Sequence, residues 1–179
     1  MAARAEVCVR FRPFLLGPIF KVQGWATSPF NLYPEKGRYM WRDLERLCAE
    51  LDVPFRRPDP FPQNSLLAAR VALVALDQGW GEAFCIALFS AQFGDGRRID
   101  DDRVLGDLLT TLQIDPLPVL ATARSDANKT RLRAQTEEAQ GLGLFGAPSF
   151  TTEDGELFWG NDRLEAALRW ASGQRMNRK

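Results

Sequence analysis

The hydrophobic period of this 179-residue chain changes twice, and that limits its fold more than anything else in the sequence. Glu6–Phe14 reads EVCVRFRPF, in which Val7, Val9 and Phe11 alternate with Cys8, Arg10 and Arg12, the two-residue period of a strand. From Met40 to Ala139 the apolar residues recur at helical spacing. Alternation returns at Ser149–Thr152 and Glu156–Trp159, joined by Asp154 and Gly155, a strong hairpin signal. Strand, helical block, hairpin and helix in that order predict an α+β or α/β core split by a helical insertion, with the hairpin beside the first strand in one sheet.

Local signals place the elements. Met1–Ala5 reads as the tail of a helix, and Pro13 ends the first strand. Leu15–Lys36, with Gly17, Pro18, Gly24, Pro29 and Pro34, reads as a long structured loop of the kind that often carries function. Helices are expected over Met40–Leu51, over Leu66–Leu76 with Ser65 as N-cap, and over Trp80–Phe93 after a break at Gly79. Further helices follow caps at Asp102, Asp115 and Ser125, the last running to Ala139 and stopped by Gly141 or Gly143. Asn161 is the expected cap of a final amphipathic helix carrying Leu164, Ala167, Leu168 and Ala171. Gly173–Lys179 reads as a frayed basic tail. The chain divides into residues 1–38 (N-terminal part of the core and a substrate loop), 39–142 (an inserted helical subdomain) and 143–179 (the C-terminal part of the core).

Composition excludes several functions. Lys plus Arg and Asp plus Glu both number 23, so no global field favours nucleic acid or an anionic membrane. No apolar run approaches the roughly 18 residues of a membrane span, and Met1–Arg12 has no signal-peptide pattern, which leads us to expect a cytoplasmic protein. Cys8, Cys48 and Cys85 have neither CxxC nor zinc spacing; Cys48 and Cys85 read as small buried hydrophobes, and Cys8 as a strand residue or a reactive thiol. Histidine is absent, which removes Ser-His-Asp and Cys-His catalysis and imidazole metal sites.

Gly146–Phe150, GAPSF, puts Pro148 at the mouth of a strand, where it removes a ladder donor. Read alone, it is either a trans proline on an edge strand or a cis proline with a specific role.

Several stretches together resemble the 2-hydroxychromene-2-carboxylate isomerases, relatives of kappa-class glutathione transferases in the DsbA-like branch of the thioredoxin fold. They are RPFLLGPIFKVQGW (Arg12–Trp25), SPFNLYPEKGRYMWRDLERLC (Ser28–Cys48), FPQNSLLAAR (Phe61–Arg70), GLFGAPSF (Gly143–Phe150) and FWGNDRLE (Phe158–Glu165). The resemblance implies an α/β, thioredoxin-like core with a helical insertion, a homodimer, glutathione as co-substrate and a small aromatic substrate. It implies that Pro148 is cis and that the Ala147 backbone pairs with the cysteinyl part of glutathione. Asn161 and Asp162 match the positions that hold its γ-glutamyl end; ordinary capping by Asn161 is the other reading, and the two are compatible. On the substrate side, Lys21 would face a carboxylate, and Asn31 and Tyr33 a hydroxyl or keto group. Asn64 is a further polar candidate, and Trp25, Phe30 and Trp41 would supply aromatic walls.

The sequence departs from the family at its start. Members open with a strand and a serine motif such as SPYSYLA, whose serine activates the glutathione thiol at a helix N-terminus. These 179 residues carry no counterpart of either, and the expected place of that strand is between Glu6–Phe14 and the hairpin. Three explanations stand open: a late start or a truncated chain, a partner or swapped chain in that place, or a non-catalytic relative. The implied activity is isomerisation of 2-hydroxychromene-2-carboxylate to trans-o-hydroxybenzylidenepyruvate, impaired without the serine. The alternatives are a kappa-like glutathione transferase and a non-catalytic glutathione-binding module. The lack of CxxC argues against a disulfide oxidoreductase.

Overall fold

The computed structural model describes residues 1–25 and 27–173. The basic tail expected over 173–179 lies, beyond Gly173, outside the described residues. Helix begins earlier than the apolar spacing predicts. The expected loop over Leu15–Lys36 contains two short helices, α1 (Leu16–Val22) and α2 (Pro29–Leu32), and the start of α3 (Pro34–Glu50). Proline accounts for both early starts: Pro29 and Pro34 open α2 and α3, where a missing N–H costs nothing. Ser28 accepts a hydrogen bond from Phe30 N at 3.4 Å and completes the first cap. Gly37 lets α2 and α3 close on each other, because a Cβ there would stand 2.8 Å from the Phe30 carbonyl oxygen.

The helical block continues with α4 (Leu66–Asp77), α5 (Gly81–Phe89), α6 (Asp102–Thr111), α7 (Pro116–Arg124) and α8 (Asp126–Gly141). The helix expected over Trp80–Phe93 is broken: α5 stops at Phe89 and a π-turn carries the chain over Ser90–Gly94. Asp115 and Ser125 cap as expected, accepting from Leu117 N at 3.0 Å and Asn128 N at 3.2 Å. Two caps move by one residue. Asp101 caps α6 by accepting from Arg103 N at 2.9 Å, which leaves Asp102 inside the helix and paired with Arg124. Asn64 replaces Ser65 at α4, accepting from Leu66 N at 3.0 Å, because Ser65 already has near-helical backbone angles (φ −91°, ψ 7°).

The core sits inside this block. Helix α4 packs against α5, α7 and α8, and Val71, Ala75, Phe84, Leu105, Leu109 and Ala123 lose all contact with solvent. Burial of that kind contributes roughly 1.5–3 kcal/mol per large side chain. The side chain of Asn128 is buried in the same block and donates to the Arg70 carbonyl at 3.0 Å and the Ala123 carbonyl at 3.3 Å. On the surface Arg131 of α8 forks onto Asp77 of α4, at 2.6 and 2.9 Å.

The sheet is smaller than expected. Among the described residues it has two antiparallel strands, β1 (Ser149–Thr151) and β2 (Leu157–Trp159), with Phe150 opposite Phe158. Helix α9 (Leu164–Ala171) packs on this hairpin through buried Ala167 and Leu168. Glu6–Phe14, expected as a strand beside it, joins no ladder. After Val7 N closes on Ala2 O, no backbone hydrogen bond forms until Leu15 N reaches Thr136 Oγ1 at 3.2 Å. The segment is held to α8 by side chains: Arg12 Nη1 donates to Glu138 Oε1 at 2.6 Å, Nη2 pairs with Oε2, and Nε reaches Gln135 at 3.4 Å. Alternation set its side chains, but alternation cannot supply a neighbouring strand.

Two outcomes follow from this packing. Leu109→Ala, at a fully buried position, is expected to lower unfolding free energy in urea by about 3 kcal/mol. Asp77 is held below the ordinary carboxylate range, first by its hydrogen bonds to Arg131. Its contribution is present above the unfolded pKa and is lost as pH falls through the lower native value. Asp77→Asn should therefore lower Tm by about 1–3 °C at neutral pH, an exposed pair being worth little. The difference should shrink in thermal melts as pH is taken progressively below the ordinary Asp value.

Candidate functional site

Helix α8 hands the chain to the GAPSF loop. Leu144 N bonds Ala139 O at 3.0 Å, and Gly143 takes φ 77°, the left-handed turn a glycine allows after a helix. The Ala147–Pro148 peptide is cis, as the resemblance implies and against the edge-strand alternative. Two hydrogen bonds brace it: Ser149 Oγ donates to Gly146 O at 2.8 Å, and Gly160 N donates to Pro148 O at 3.0 Å. Gly146 is buried against the Trp159 indole, with no room for a Cβ. Phe145 stands on the same indole at 5.0 Å between ring centroids. Ala147 is exposed, and its own N–H and C=O make no hydrogen bond among the described residues.

The Gly160–Pro148 bond also sets Asn161 and Asp162 beside this loop. Both are exposed, in a 3₁₀ turn over Asn161–Arg163 that precedes α9. Asn161 makes no capping bond, contrary to the expected cap; the turn closes through Arg163 N to Gly160 O at 3.0 Å instead. The first-turn N–H groups of Asn161 and Asp162 thus stay open to an anion. Gly160 has φ 108°, and a Cβ there would stand 2.5 Å from Asp162 Oδ1, so glycine is required. Asp162 lies 3.6 Å from Arg163, a loose surface pair.

The substrate candidates do not converge on one wall. Asn31 lines a cleft of about 700 Å³ with Phe30, Arg38, Trp41, Arg57 and Phe61. Its Nδ2 donates to Thr27 Oγ1 at 3.0 Å, and its Oδ1 accepts no hydrogen bond among the described residues. Trp41 is buried and forms the floor rather than a free wall, with Phe61 edge-on at 4.7 Å. Lys21, Trp25, Tyr33 and Asn64 lie outside this cleft. Lys21 is exposed on α1, and Trp25 rests on Phe20 at 5.4 Å. Tyr33 lies under the Lys36 ammonium at 5.0 Å. Asn64 spends its carbonyl oxygen on the α4 cap, so only its amide nitrogen is left. Arg57 and Phe61 were missed from sequence; the signal was the pair of arginines before the proline-rich run in RRPDPFP.

A second concavity is an open, apolar trough of about 630 Å³. Val7–Arg12 and Ser149–Thr152 both line it, with Ala139 and Leu142 of α8 and Leu164 and Leu168 of α9. It occupies the place at which the resemblance puts a further strand. Phe150 faces Phe158 in the ladder, flanked by bonds from Gly160 N and Thr152 N, so Ser149 and Thr151 turn their backbone groups to the other edge. Cys8 is exposed at this trough, whereas burial pushes the Cys85 thiol up and keeps it protonated. Glu138, at the rim, is held below its ordinary range by hydrogen bonds from Arg12. Among the described residues no helix is long and apolar enough to cross a membrane.

A cis-proline loop after a long helix, followed by a hairpin and a terminal helix, defines a thioredoxin-like domain. Residues 1–169 match the DSBA-like thioredoxin domain family. A 2-hydroxychromene-2-carboxylate isomerase of Sphingobium xenophagum is 31% identical over 92% of this chain and 83% of its own length. Glutathione s-transferase kappa 2 of Caenorhabditis elegans is 25% identical over 87% of this chain and 75% of its own. A solved 2-hydroxychromene-2-carboxylate isomerase superposes with a TM-score of 0.83 at 24% identity, covering 97% of this chain and 83% of that one. The chain belongs to the DsbA-like thioredoxin family, in the group of the 2-hydroxychromene-2-carboxylate isomerases.

Gly146→Ala tests the seat of the loop. The added methyl must displace the Trp159 indole, at a cost of about 1–3 kcal/mol in urea unfolding and with loss of near-UV tryptophan dichroism. Val9→Lys, at an exposed position of the trough wall, should reduce binding of an apolar dye without lowering Tm.

Proposed function

We propose that this chain is a glutathione-dependent isomerase of small aromatic substrates, with 2-hydroxychromene-2-carboxylate and trans-o-hydroxybenzylidenepyruvate as the interconverted pair. The observation that carries the reading is the 31% identity to the Sphingobium isomerase across 92% of the chain. The exposed, unbonded backbone of Ala147 beside the open N–H groups of Asn161 and Asp162 fits an extended thiol peptide with an anionic end. Ala147 would pair with its centre, the first-turn N–H groups with its γ-glutamyl carboxylate, and the Asp162 carboxylate with its ammonium. When bound, glutathione supplies a thiolate nucleophile that adds to the substrate and is expelled after a bond rotates. The chain's own residues bind and orient: Asn31 Oδ1 accepts from a substrate hydroxyl, and Lys21 attracts a carboxylate to the α1 side. Tyr33, Asn64 and Trp25 would complete the wall only in a homodimer or on closure around substrate. These 179 residues contain no counterpart of the serine motif that activates the thiol, and by themselves are expected to turn substrate over slowly.

The identity to a kappa-class transferase favours a second reading, conjugation of glutathione to another electrophile at the same loop.

Calorimetry with reduced glutathione, paired with an absorbance assay of the isomerisation, tests both. Binding is expected, with Asp162→Ala weakening it about tenfold by loss of one charged hydrogen bond. No heat with glutathione overturns the reading. A full isomerase rate from these residues overturns the impairment, and conjugation without isomerisation selects the transferase.

A further inference from the structure

We propose that Arg57 reads a carboxylate in the cleft between α2, the start of α3 and the 57–61 segment, and that this cleft takes a planar aromatic acid. The choice of a small aromatic ligand rests on the isomerase or transferase reading; the role of Arg57 rests on the geometry.

The guanidinium of Arg57 lies 4.9 Å from the centre of the Trp41 ring. Contact with the ring consumes none of its five N–H donors, which stay in a fixed fork for a ligand. Nearby arginines are spent: Arg38 pairs with Glu35, Arg42 with Glu45, and Arg56 donates to the Asp95 carbonyl at 3.4 Å. Arg57 enters no ion pair among the described residues. Asp59 lines the same rim and still does not pair with it, so stacking on Trp41 holds the fork in preference to the local acid. The platform itself does not move freely: Trp41 is buried, with Phe61 edge-on at 4.7 Å and Phe55 at 6.3 Å. Across the cleft Asn31 offers Oδ1 as an acceptor, its amide being engaged by Thr27. An anion-binding fork, an aromatic floor and one acceptor together match a flat ligand with a carboxylate and a hydroxyl.

Calorimetric titration of the 179-residue chain with coumarin-3-carboxylate and with coumarin-3-carboxamide separates charge recognition from shape. The acid is expected to bind about 10- to 100-fold more tightly than the amide, the range of one or two charged hydrogen bonds. Arg57→Gln should abolish that preference and leave amide affinity unchanged. Arg57→Lys keeps the charge and loses the fork, so a preference reduced about tenfold is expected even if the glutamine variant fails to fold. Asp59→Asn should tighten the acid alone. Equal affinity of acid and amide for the unaltered chain, no binding of either, or a preference that survives in both Arg57 variants overturns the proposal. The glutathione titration and the isomerase assay keep the two readings apart. Acid preference without any binding of glutathione sustains Arg57 and sinks the isomerase, whereas turnover with an unchanged KM in Arg57→Gln sinks Arg57 alone.

Discussion

Helix α8 is the element on which the remaining parts hang. Its first turn is fixed by buried Asn128, whose amide grips the Arg70 and Ala123 carbonyls and so locks α8 against α4 and α7. Midway, Leu132 is buried, and Thr136 Oγ1 both donates to the Leu132 carbonyl and accepts from Leu15 N. Near its end, Glu138 holds Arg12. A single helix therefore joins the helical block, the N-terminal segment and the cis-proline loop. Losing the Asn128 amide would strand two carbonyls in a dry interior, a larger cost than the loss of any exposed pair.

The site built on this frame uses backbone more than side chains. Ala147 presents its peptide groups because the hydrogen bond from Gly160 to Pro148 and the bond from Ser149 to Gly146 absorb the neighbouring ones. Gly146 and Gly160 have no replaceable hydrogen, one pressed against Trp159 and the other held at positive φ beside Asp162. A chain without histidine can still shape a reaction this way, by offering oriented N–H groups and a dipole to a ligand that brings its own reactive atom.

Much of this was legible in residues. The Asp154-Gly155 hairpin, the caps at Asp115 and Ser125, and the buried faces of α4 and α6 follow from local chemistry that tertiary contacts did not override. Prolines 29 and 34 were read as loop markers when they are helix starters, because proline signals both and only Ser28's cap decides. The strand over Glu6–Phe14 failed for a different reason: alternation records which side chains point together, and a ladder requires a second backbone. At the site, Pro148, Asn161 and Asp162 adjoin because a motif fixes their spacing. Lys21, Tyr33 and Asn64 scatter because their positions depend on how helices pack, which no short motif encodes. Arg57 escaped notice since its meaning lies in the distant Trp41 beneath it.

The two walls of the trough differ in what fastens them. The Ser149–Thr152 wall is pinned by backbone bonds to β2, whose strength hardly depends on ions in solution. The Val7–Arg12 wall is tied by the exposed Arg12–Glu138 pair, screened by salt within about 10 Å at 0.1 M. Ionic strength therefore weakens the fastening of one wall and leaves the backbone bonds of the other untouched.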